Sequence, residues 1–189
     1  MIAENIEKIR AELPEGVKLI AVSKLKPVED IQEAYAAGQR AFGENYATEL
    51  RDKAAVLPKD IEWHFIGHLQ GKQLKYYIPF VSMIHGVDSI EHLEEVEKAA
   101  AKVGRTVNVL LQVHVAQEET KFGFLPEELG DFQFLTFNSF ASVASWAWRP
   151  IPKTRLVSVP ISAASMKSST DSRPVLLPII PSLRKSPWV

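Results

Sequence analysis

The chain has 189 residues, 46% of them hydrophobic and 24% charged, the profile of one soluble globular domain with a real core. A net charge of -1 gives no reason to expect nucleic acid or an anionic membrane as partner, and no apolar run is long enough to span a bilayer. With no cysteine there is neither a disulfide frame nor a thiolate metal site, and the charged amphipathic start lacks a signal-peptide block, so the expected compartment is the cytoplasm.

Apolar residues at Ile2, Ile6, Ile9 and Leu13 predict a first helix over about 2–12, followed by a strand at 17–23 that ends on Lys24. Pro27, with Glu29 and Asp30 in the first turn, opens a helix that Gly38 stops. A short strand over 40–43 leads into Glu44-Asn45-Tyr46 and a helix of about 46–55. The strand 62–67, a helical segment near 71–78 and the strand 81–86 come next. Ser89 caps a helix running to about Val103 with Gly104 behind it, and 106–114 reads as a buried strand. Five strands alternating with helices argue for parallel βα units. The expected fold is α/β, a (β/α)₈ barrel of TIM type with about five of its eight units present; a doubly wound sheet is the runner-up.

Polar residues gather at the carboxyl ends of these strands, where such barrels keep their chemistry. They are Lys24, Glu44 and Asn45, then His64, His68 and Gln70, then His85 and Asp88, and finally Gln112 and His114. An ε-amine at such a mouth can form a Schiff base when burial or a neighbouring cation lowers its pKa, and Lys26 is a nearby cation. His64 and His68 are four apart, a zinc spacing only on a helix, whereas this segment reads as strand and turn. No metal site is expected, and no glycine-rich phosphate motif occurs.

Four segments carry a resemblance. Ala21-Val-Ser-Lys24, Phe42-Gly-Glu-Asn-Tyr46, Trp63-His-Phe-Ile-Gly-His-Leu-Gln70 and Glu118-Glu-Thr-Lys-Phe-Gly123 stand in order and at normal spacing. Over about residues 1–129 the chain resembles the pyridoxal 5′-phosphate homeostasis protein family, whose relatives include the N-terminal barrel of alanine racemase. The resemblance implies that Lys24 carries pyridoxal 5′-phosphate as a Schiff base, with Asn45 and His64 beside it. It implies a monomeric carrier that buffers the cofactor, with cofactor-dependent apo-enzymes as candidate recipients and no established catalytic residue. An amino-acid racemase-like enzyme is the alternative, although racemisation wants acid–base groups on both faces of the substrate carbon and the chain has no second domain to supply them. Gly71-Lys72-Gln73 departs from the family pattern and puts a role for that loop in doubt.

The resemblance stops after Leu129. Residues 131–189 hold two acidic residues against seven basic ones, with seven of the twelve prolines and eleven serines. Re-reading each codon in the next frame permits Gly-Met-Ala-Thr-Tyr-Thr-Glu from Trp146 onward and Ile-Ser-Met-Gly from Lys185 onward. Both are family segments, in the family order. The expectation is a frameshift near residue 130, with 130–189 an out-of-frame or disordered tail, and a truncated, non-functional product is then a competing reading.

Overall fold

The computed structural model describes residues 2–113, 123–125 and 140–147, the last stretch by its backbone. Helix α1 (Ile2–Glu12) leads into β1 (Ala21–Val22), α2 (Val28–Ala36), β2 (Ala41–Glu44), α3 (Ala47–Val56) and β3 (Glu62–Phe65). A 3₁₀ segment (Gly71–Tyr76), β4 (Met83–Val87), α4 (Ile90–Lys102), β5 (Val107–Val113) and β6 (Phe140–Ala147) follow. Every neighbouring pair of strands is parallel, and strand order across the sheet is strand order in the sequence. A doubly wound sheet reverses direction partway, whereas a barrel adds each strand beside the last. The architecture is therefore of (β/α)₈-barrel type, and the runner-up falls.

The helix boundaries follow from local chemistry. Ser89 Oγ accepts a hydrogen bond from the His92 N–H at 3.2 Å at the start of α4, and Gly104 at φ +63° ends the turn behind it. Gly38, at φ +82°, does the same after α2, and the Arg10 guanidinium from α1 ties down the adjoining Ala37 and Gly38 carbonyls at 3.2 and 2.9 Å. One face of the sheet, including Phe42, Trp63, Phe65 and Ile84, packs against Ile31, Leu50, Leu93 and Val96 from the helices. Each such side chain contributes roughly 1.5–3 kcal/mol on full burial. On the other face the strands carry Ile20, Gly43 and Ile66, whose side chains or glycine gap meet one another.

Three expectations need correction. The first strand is only Ala21–Val22, because its ladder with β2 is confined to Ala21↔Phe42 and Val22↔Gly43 and leaves residues 17–20 outside it. The helical segment expected near 71–78 is there, but as a 3₁₀ helix that ends at Tyr76, two residues early. Beyond the five expected strands there is a sixth, since Phe140–Ala147 pairs with β5 from Val107↔Phe140 to Val113↔Ala147. The open side of β5 offers unpaired backbone groups to any extended segment, which composition does not signal. The remainder of the tail, His114 and residues 118–122 of the fourth resembling segment lie outside the described residues.

Candidate functional site at the carboxyl ends of the strands

Lys24 is exposed and sits in the turn that closes β1. The Lys26 N–H donates to the Ser23 carbonyl at 3.1 Å, and Leu25 takes φ +59° while remaining 75% exposed. A left-handed leucine costs on the order of 1–2 kcal/mol, so its surroundings must hold it there. The ladder pairs Val22 with Gly43, and the Ser23 N–H still donates to the Gly43 carbonyl at 2.9 Å. Asn45, two residues beyond Gly43, falls on the Gly43 face by alternation, whereas Lys24 lies in the turn just past the end of β1.

His64 pairs with Gly43 and Met83, one step below Asn45 on the same face. It is 2% exposed, and its Nδ1 lies 2.9 Å from Nε2 of the equally buried His85. Burial, helped by the positive charge of Lys18, pushes His64 down to about 4; burial, then His64, pushes His85 down to about 3. Both rings are neutral at physiological pH. The Nε2 of His64 and the Oδ1 of Asn45 are buried without a protein hydrogen-bond partner. Buried polar atoms normally find one.

The backbone is unusually close here. A Cβ on Gly67 would lie 2.1 Å from the Asn45 carbonyl oxygen, and one on Gly86 would lie 2.9 Å from the Gly67 oxygen. Glycine at 67 therefore lets the end of β3 lie directly against Asn45. On the rim, Asp88 holds His92 Nδ1 at 2.5 Å and has His68 Nδ1 at 3.8 Å. Among the described residues no cluster of three or more histidine, cysteine or carboxylate side chains could hold a metal ion.

Of the expected mouth residues, His64 and His85 meet on one face, Asn45 lies one step beyond His64 there, and Lys24 stands exposed in the turn after β1. Glu44 is not on that face. It is fully buried on the opposite, helix-facing side, where its Oε1 accepts from Ser23 Oγ at 2.6 Å and from Lys53 Nζ at 2.8 Å. Burial raises its carboxyl, partly offset by the hydrogen bonds from Lys53 and Ser23. The reason is the period of two along β2, which alternates Glu44 away from its neighbours Gly43 and Asn45. Lys53 was missed altogether. In the sequence it is a lysine four residues after Glu49, the signature of a solvent-facing helical pair.

A family model described as alanine racemase, N-terminal domain, matches residues 1–145. The chain belongs to that family. Within the alanine racemase N-terminal domain family it is 42% identical over 142 residues to the pyridoxal phosphate homeostasis protein of Mus musculus, covering 67% of this chain and 52% of that one. The structure of PipY from Synechococcus elongatus without PLP is 35% identical, with a TM-score of 0.74 over 82% of this chain and 74% of that one. PipY solved with PLP bound superposes at a TM-score of 0.69, over 82% of this chain and 73% of PipY. Alanine racemase from E. faecalis, at 22% identity and a TM-score of 0.57 over 76% of this chain and 41% of that one, shares the fold. The matched region spans 44% to 65% of the length of these curated relatives.

Proposed function

We propose that this chain is a pyridoxal 5′-phosphate binding protein of intracellular cofactor homeostasis, with the cofactor held as a Schiff base on Lys24 and with Asn45 and His64 beside it. One observation carries the reading. Two buried polar atoms, Asn45 Oδ1 and His64 Nε2, lack a protein partner at the strand ends beside the turn that carries Lys24. A flat, polar-edged ring is the kind of ligand that would satisfy them, so these residues fit the group. The relatives named for pyridoxal phosphate homeostasis, and PipY with PLP bound, support the cofactor and the homeostasis role.

When bound, the cofactor supplies an electrophilic aldehyde and an electron-withdrawing ring. Lys24 would offer its ε-amine to that aldehyde, Asn45 would orient the ring from the next strand, and the His64–His85 pair, buried as neutral rings, would keep the floor of the site free of charge. The carrier role is favoured over turnover by the relatives at 38–42% identity, which are named for pyridoxal phosphate homeostasis. Cofactor-dependent apo-enzymes are the proposed recipients.

The test is covalent. Treatment of the 189-residue chain with pyridoxal 5′-phosphate and then borohydride is expected to leave one phosphopyridoxyl group, mapped to Lys24 and lost in Lys24→Ala. Labelling scattered over many lysines, or none, removes the assignment.

A second reading has its own observation, the composition break near residue 130. We infer that 130–189 is translated out of frame, in the gene or in its sequencing, so that the product is truncated relative to its family. The coding DNA is expected to read the two family segments when shifted by one frame. Codons incompatible with them end the idea.

A further inference from the structure

Behind the sheet, on the side away from the proposed cofactor face, α3 sends a buried ion cluster to the turn that carries Lys24. The Lys53 ammonium is 6% exposed and donates all three of its hydrogens: to the Ser23 carbonyl at 2.7 Å, to Glu44 Oε1 at 2.8 Å and to Glu49 Oε1 at 2.6 Å. That Glu49 oxygen also accepts the Leu25 N–H at 2.7 Å. Ser23 donates its own hydroxyl to Glu44 at 2.6 Å. The residue before Lys24 and the residue after it are therefore both held by side chains of one helix.

The chemistry suits a clamp. Leu25 sits in the left-handed region with its side chain 75% exposed, so packing of that side chain does not fix the turn. What does fix it is a carboxylate accepting its N–H and an ammonium gripping the carbonyl two residues earlier. Bonds of this kind are charge-assisted and hence the strong ones, and those from Lys53 to Ser23 and Glu44 are also buried from water. Surface lysine–glutamate pairs have no such reach, and Lys98–Glu94 on α4, with both partners more than half exposed, is the internal contrast.

We propose that Glu49 and Lys53 are positioning residues that set the reach of the Lys24 amine by clamping Ser23 and Leu25, without themselves touching the cofactor. The proposal rests on the assignment of Lys24 as the cofactor amine. It gives the cluster a task that stabilising the fold alone would not require. A reacting amine displaced by about 1 Å can lose up to a hundredfold in rate, so holding the turn matters more than holding the helix.

The experiment compares full-length chains after pyridoxal 5′-phosphate and borohydride, reading by peptide mapping the label on Lys24 relative to the summed label on all other lysines. Folding of each variant is checked by circular dichroism and urea midpoint. Glu49→Ala, which removes the acceptor for Leu25 at a partly exposed position, is expected to keep the fold and lower the ratio about tenfold. Lys53→Met is expected to lower it at least as far, Lys53→Arg to recover part of it, and Lys98→Ala to leave it unchanged. A parent chain selective for Lys24 together with a folded Glu49→Ala of equal selectivity overturns the clamp while leaving the proposed function standing. A parent chain with no selectivity for Lys24 overturns the proposed function itself. Should Lys53→Met fail to fold, the Glu49→Ala ratio decides alone.

Discussion

Gly67→Ala is expected to destabilise the chain by about 3 kcal/mol or more, the upper end of what a single added methyl does in a packed interior. The new carbon would lie 2.1 Å from the Asn45 oxygen, 2.8 Å from its carbonyl carbon and 2.9 Å from its Cα. All three are backbone atoms, so no rotamer change relieves the contact. The end of β3 must separate from β2 at the residue assigned to the cofactor ring. Gly71→Ala is the matched control. Its Cβ would meet a neighbour at 2.3 Å, nearly as close, but that neighbour is the Glu95 carboxylate, the tip of a flexible, exposed side chain. Glu95 can swing into solvent, and the expected cost is under about 1 kcal/mol. Urea unfolding followed by tryptophan fluorescence separates the two. A Gly67→Ala chain as stable as its parent would mean that β2 and β3 are not pressed together as described.

Acidification is expected to weaken the fold steeply between pH 6.5 and about 4. His64 and His85 are held near 4 and 3, against an ordinary value of 6.5. In that window the unfolded chain binds protons that the folded chain refuses. Their contribution is thus complete above pH 6.5 and is lost as pH falls through the folded values. Each refused proton is worth about 1.4 kcal/mol per pH unit, so the pair gives roughly 2 kcal/mol between pH 6 and 5. Glu44 acts in the opposite sense. Its raised carboxyl favours the fold at low pH and loses that advantage as pH rises above its ordinary value of 4.5. A variant comparison removes this background. In His85→Asn the slope of urea midpoint against pH is expected to fall by about half, because one of two refused protons is gone. Equal midpoints at pH 7 and pH 5 in the parent would show that the histidine pair is not buried as neutral rings.

Much of this could be read from the residues in order. The five strands, the Ser89 cap and the glycines after α2 and α4 announced themselves through periodicity and end signals, which are local properties. That polar residues such as Asn45, His64 and His85 gather near the carboxyl ends of the strands was legible because strand ends in a βα series converge, whereas the grouping of Lys24 with Asn45 and His64 came from the family resemblance. What could not be read is tertiary in origin. Glu44 looked like a mouth residue because it adjoins Asn45, yet one residue along a strand is the opposite face. Lys53 looked like a surface partner for Glu49, and only the approach of α3 to the β1 turn makes it a buried hub. β6 was hidden for another reason: the strand Phe140–Ala147 is set by the free side of β5 and lies in a stretch whose serine and proline content argued against order.

The sheet places every strand beside the one made just before it. A ribosome therefore releases the partners of each pairing in immediate succession, and no strand has to wait for a distant part of the chain before its ladder can form. Contacts of this kind keep loop-closure costs low and let a growing chain lay down its sheet from the amino end while synthesis continues. On that account the Lys24 turn, its clamp and the histidine pair all belong to the part of the molecule that takes shape first, and a disturbance late in the message reaches them last.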